Sequence, residues 1–80
     1  MIHYLTIEYS TKGFTGGDYG VNSINGMKAQ EALNTKGKFP LHGVVTHYSQ
    51  QGYRVVSNTL AFGGQARMGI LIMGKDMAQQ

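Results

Sequence analysis

The chain has no cysteine, and only four acidic residues stand against seven lysines and arginines in 80 positions. Without thiols there are no disulfides and no thiolate metal sites, and cysteine usage says nothing of compartment. The four carboxylates, Glu8, Asp18, Glu31 and Asp76, have no spacing that brings two together for acid–base work. The imidazoles are His3, His42 and His47, and the five-residue step between the last two points them apart on a helix. No metal site is expected. Ser10, Ser23, Ser49 and Ser57 sit in no nucleophile-elbow pattern, and nothing in the spacing supports an acid–base pairing of His47 with Glu31. No catalytic residue is assigned. The chain reads as a non-enzymatic protein without a cofactor.

Long apolar runs are missing as well. No stretch approaches the roughly 18 residues that span a membrane, and MIHYLTIEYS lacks the basic segment and apolar run of a signal peptide. A cytoplasmic protein with no membrane partner is expected. The basic residues, Lys12, Lys28, Lys36, Lys38, Arg54, Arg67 and Lys75, are scattered and leave a net charge of +3. Without a run of like charge, an extended nucleic-acid partner is not expected. A small anion remains compatible with this surface.

What is present is best organised around residues 53–73, YRVVSNTLAFGGQARMGILIM. Two apolar runs flank Gly63-Gly64, and a two-residue glycine loop favours a primed hairpin turn. That turn would set Phe62 opposite Gln65, Leu60 opposite Arg67, Asn58 opposite Gly69 and Val56 opposite Leu71. One face would then carry Arg54, Val56, Asn58, Leu60, Phe62, Arg67, Leu71 and Met73. The other would carry Tyr53, Val55, Ser57, Thr59, Met68, Ile70 and Ile72. Neither face is cleanly polar, whereas a half-solvated antiparallel sheet alternates apolar and polar residues. Both faces should therefore be covered, one by helices and the other by a second protomer or by the second helix.

Residues 2–9 alternate β-branched, aromatic and apolar types without a breaker and read as a third strand. Residues 10–20, STKGFTGGDYG, form a glycine-rich loop with Phe14 and Tyr19 interleaved. It is either a connection or a ligand cradle, and it matches neither phosphate-binding glycine pattern. Residues 22–36 read as a helix capped by Asn22 or Ser23, with Met27, Ala29, Ala32 and Leu33 as a narrow apolar stripe. Gly26 costs about 1 kcal/mol inside such a helix. Pro40 suits a helix first turn. Leu41, Val44, Val45 and Tyr48 then recur at i, i+3, i+4 and i+7 over 41–51, and Gly52 supplies a left-handed end. Residues 75–80 read as a flexible tail. The fold class is α+β, one domain over 1–80: a three-stranded antiparallel sheet with one or two helices on one face. A domain this small has a thin core, which favours a homo-oligomer.

Arg67 and Asn58 are the least expected polar residues on a partly covered face, and a guanidinium there needs an acidic partner or a bound phosphate or carboxylate. The candidate ligand-binding set is Lys12, Phe14, Tyr19, Asn58 and Arg67. Lys12 and Arg67 would meet phosphates, Asn58 a polar edge, and Phe14 or Tyr19 a base. From residue 41 onward the chain resembles a small family of uncharacterised bacterial and phage domains, through QGYRVVS at 51–57 and ILI at 70–72. That resemblance implies a strand, a helix ending in a Gly-aromatic step, and an apolar hairpin. The family has no established activity to carry over; small phage proteins of this size and polarity resemble, by analogy, decoys that block host defence by sequestering nucleotide signals or by occupying a defence protein.

Two functions follow as expectations. The first is sequestration of a small anionic nucleotide-derived ligand at an inter-subunit pocket. The second is a protein–protein interaction or inhibitor module, acting on a host protein through its apolar sheet face.

Overall fold

The backbone forms one five-stranded antiparallel sheet in the order β3-β2-β1-β5-β4, with two short helices. The computed structural model describes residues 1–11, 19–34, 39–63 and 66–77, and for 61–63 and 66 the backbone alone. The three strands expected from sequence are present as β1 (Ile2–Ser10), β4 (Arg54–Gly63) and β5 (Ala66–Asp76). The three-stranded sheet itself is corrected: β2 (Gly20–Ile24) and β3 (Met27–Lys28) extend it to five.

These two strands occupy part of the segment read as the 22–36 helix. Asn25 and Gly26 have φ of 53° and 81°, the pair of left-handed residues that a type I′ hairpin turn requires. The Asn25 carboxamide oxygen accepts from the Thr6 N–H at 2.8 Å, and its own N–H donates to the Thr6 carbonyl at 2.7 Å. Gly26 is thus a turn residue rather than a weak point in a helix. Val21 and Ile24 pair with Tyr9 and Ile7 on β1. Among the described residues of that segment, helix remains as α1 (Ala29–Ala32), a single turn.

The second expected helix is present as α2 (Leu41–Ser49), with Pro40 at the N-cap, just ahead of its first turn. Gly52 has φ of 96°. Its N–H donates to Ser49 O at 3.0 Å and the Tyr53 N–H to Tyr48 O at 3.1 Å, which stops the helix and turns the chain into β4. The start of α2 is tied to β2 by Val21 N–H to Phe39 O at 2.8 Å and Leu41 N–H to Tyr19 O at 2.9 Å.

Alternation on β1 sends Leu5, Ile7 and Tyr9 to one side, where they join Leu71 and Met73 of β5, Val21 and Ile24 of β2, Ala29 of α1 and Val44 of α2 in one buried cluster. Ile7 and Met73 are fully buried, each worth roughly 1.5–3 kcal/mol in apolar burial. Both helices pack on this side.

The hairpin register differs from the expected one by two residues. Phe62 pairs with Arg67, Leu60 with Gly69 and Asn58 with Leu71. Gly63 pairs with Ala66, so Gly63 belongs to the strand, and Gly64 lies outside the described residues. A shift of two keeps every side chain on its face. A bulge between Val55 and Ser57 does not: it sets Val55 opposite Met73 and Arg54 opposite Gly74. Arg54 therefore leaves the face it was assigned and joins Ser57, Thr59 and Ile70 on the other. Lys75 and Asp76, placed in the flexible tail, are strand residues paired with His3 and Ile2; 78–80 lie outside the described residues.

Candidate functional site

Two regions bear on function, one on each side of the sheet. On the helix side, Tyr9 organises the polar residues. Its ring lies across Gly69, where a β-carbon would come within 2.3 Å of Cζ and of the hydroxyl oxygen. Its hydroxyl donates to the Asn58 carboxamide oxygen at 2.5 Å. Tyr19 meets the same ring edge-on, with centroids 5.2 Å apart. Arg67 follows on β5, its N–H donating to Thr11 Oγ1 at 3.2 Å and its carbonyl accepting from the Thr11 N–H at 3.0 Å.

The structure thus brings two candidate residues, Tyr19 and Asn58, onto Tyr9, with Arg67 two residues along β5 from Gly69. Tyr19 is partly buried against the core, and the Asn58 oxygen is engaged by Tyr9. Lys12 and Phe14, with most of the glycine-rich loop, lie outside the described residues.

A second aromatic group sits where α2 enters β4. Tyr53 packs edge-on against Tyr48 at 5.6 Å and His3 at 6.1 Å, and the Lys75 ammonium lies 5.7 Å from its ring centroid. Burial, and then the nearby Tyr53 phenol, push the Tyr48 hydroxyl above its ordinary value of 10.0. His47 on α2 pairs with Gln51 at 3.0 Å. Among the described residues, no group of three or more His, Cys, Asp or Glu could hold a metal ion, and no helix is long and apolar enough to cross a membrane.

The other side of the sheet has no helix on it among the described residues. It presents Ile2, Tyr4, Thr6 and Glu8 of β1, Met68, Ile70 and Ile72 of β5, and Arg54, Val56, Ser57 and Thr59 of β4. Tyr4 is 51% exposed, Val56 58%, Met68 56% and Ile70 46%. A groove of about 650 Å³ runs over Gly74, between Ile2 and Tyr4 on one side and Arg54 and Val56 on the other. A smaller hollow of about 300 Å³ lies by Glu8, Thr59, Met68 and Ile70. The signal for this face was in the sequence, as hairpin strands apolar on both sides. Its members on β1, and Arg54 and Val56, which the sequence reading set on the other face, needed the strand order and the bulge. Leu60 belongs to the opposite, helix-bearing side.

No family model matches the chain, and neither a curated protein nor a solved structure matches it. Function is therefore argued from its residues.

Proposed function

We propose that this protein is a binding module that works through the open face of its sheet. One observation carries the reading: four large apolar side chains, Tyr4, Val56, Met68 and Ile70, are each about half exposed on a face that bears no helix among the described residues. Antiparallel sheets with a solvated face normally place polar residues there. A contiguous apolar surface rimmed by polar groups is characteristic of an interaction site. Here the rim is Glu8, Thr59, Ser57 and Arg54.

The test compares wild type with Ile70→Lys, a change on an exposed position that leaves the buried cluster intact. Sedimentation velocity reports self-association, and capture from a cell lysate reports other partners. Wild type should self-associate or retain a stoichiometric partner, and the variant should lose it at unchanged thermal stability. If neither assay distinguishes the two proteins, the open face is not the working surface.

A second reading is supported by Tyr19 and Asn58, which both meet Tyr9, and by Arg67, two residues along β5 from the Gly69 that the Tyr9 ring covers. It is a small anionic, nucleotide-derived ligand held at an inter-subunit pocket, with Arg67 as the anion contact. Calorimetry against linear and cyclic nucleotides tests it. Binding that weakens at least tenfold on Arg67→Ala supports it; no binding, or binding indifferent to that change, removes it.

A further inference from the structure

The open face has the makings of a self-complementary surface. Glu8 pairs with Ile70 across one edge of β5, and Arg54 pairs with Gly74 across the other. Ile72 lies midway between Ile70 and Gly74, so it is also the midpoint of the Glu8–Arg54 diagonal. The carboxylate and the guanidinium therefore stand on opposite sides of an apolar centre, and among the described residues neither makes an ion pair with the other or with a third group.

We infer that the open face pairs with a second copy of this chain. The proposal rests on the open-face reading above and names its partner. A two-fold axis lying in the interface, passing over Ile72 and across the Glu8–Arg54 diagonal, sets Glu8 of each copy against Arg54 of the other. On a flat sheet grid the same operation brings Ile70 over Val56, at the edge of the groove above Gly74. Such an interface is isologous: the same patch is used twice and the assembly closes at two.

Charge favours this partner over a strongly charged one. The face holds Arg54 and, through Ser23, Lys28 of β3 against Glu8 and against Asp76, which contacts the Met1 amine at 3.8 Å, and among the described residues it shows no cluster of one sign. A nucleic acid or an anionic membrane would call for such a cluster. Area is sufficient as well. β1, β5 and β4, at about 3.3 Å per residue and about 4.8 Å between strands, present roughly 30 by 15 Å. Two copies would remove on the order of 1,000 Å² from water, the size at which specific interfaces begin.

The experiment is sedimentation equilibrium with native mass spectrometry, on wild type, Glu8→Arg, Arg54→Glu, the double charge swap and Ile70→Lys. Circular dichroism confirms that each variant is folded. The expected result is a wild-type dimer. Each single reversal should weaken it about tenfold or more, because like charges then face each other twice. The double swap should restore it to within about threefold of wild type, and Ile70→Lys should abolish it.

A wild-type monomer up to about 1 mM, where association is worth only about 4 kcal/mol, overturns the second-copy proposal. The open-face reading then stands or falls on lysate capture lost by Ile70→Lys. A dimer abolished by Ile70→Lys but indifferent to the reversals keeps the open face and overturns this two-fold pairing. A dimer indifferent to every variant uses another surface and overturns both.

Discussion

The Tyr9 ring occupies the space that a side chain on Gly69 would need, and from there its hydroxyl reaches Asn58 one strand farther on. β1 is thereby linked to β4 across β5 by one side chain. The glycine is what lets the ring lie flat enough to span the central strand.

Gly69→Ala should therefore destabilise the protein by about 1–3 kcal/mol, the cost of forcing extra volume into a packed site. The ring must move and the Asn58 bond must break. Tyr9→Phe should cost about 1 kcal/mol, as expected for one hydrogen bond. In a Tyr9→Leu background the alanine should be much less costly. Urea denaturation of wild type, Gly69→Ala, Tyr9→Leu and the double variant yields the coupling directly. Additive effects would show that Tyr9 and Gly69 act independently.

The Asn25-Gly26 turn gives a second test. A β-carbon at Gly26 would meet nothing within 4 Å, so the penalty for Gly26→Ala is conformational alone. It should be about 1–2 kcal/mol, the cost of holding an L-residue in the left-handed region. Asn25→Ala should cost more, because it also removes the acceptor for the Thr6 N–H. Asn25→Gly should recover the backbone component and leave the hydrogen-bond component. If all three variants melt with wild type, the β2–β3 hairpin contributes nothing to stability.

This turn also marks where the sequence was misread. Asn-Gly is a strong short-range hairpin signal, but β3 is two residues long, so the alternation around it is too short to register. A partial helical stripe through Met27, Ala29, Ala32 and Leu33 outweighed it. β1, β5 and α2 were legible because each keeps one period for nine residues or more, and β4 because it alternates without a break from Ser57 onward. The bulge at Val56 was not legible, because nothing in Arg-Val-Val-Ser marks an extra residue. The same limit applies to the site. Tyr19, Asn58 and Arg67 were chosen for their chemistry, whereas Tyr9, which joins the first two, becomes visible only once Gly69 is known to lie opposite it.

Tyr48 makes stability depend on alkaline pH. Its hydroxyl titrates above the ordinary 10.0 in the folded protein, from burial first and the Tyr53 phenol second. The folded state therefore holds this proton more tightly than the unfolded chain. The resulting stability is fully present below the unfolded value and is lost as pH rises through the folded one. Melting temperature should fall on the alkaline side of pH 10, and the fall should be shallower in Tyr48→Phe. An identical alkaline slope in both proteins would exclude Tyr48 as its source.

Val56 should be dispensable to the fold, although it lies within a strand. As the extra residue of the bulge, it is what returns Val55 and Tyr53 to the helix side and Arg54 to the open side. Deleting it leaves Val55 next to Ser57 in regular alternation, with Arg54, Val55 and Ser57 on the faces they already hold. The cost should stay within about 1 kcal/mol, as for a surface change, and the near-ultraviolet signal of the Tyr48–Tyr53 pair should be kept. Deleting Thr59 instead would be absorbed at the bulge, but only by moving Asn58 to the open side and Ser57 beneath Tyr9. That variant should lose about 1 kcal/mol more, the worth of the Tyr9–Asn58 bond. Equal stability of the two deletions would show that the bulge, and not the Tyr9 contact, holds β4 in register. A Val56 deletion that unfolds the protein would show that the valine side chain, packed 3.1 Å from where a β-carbon on Gly74 would stand, is itself needed to close the sheet.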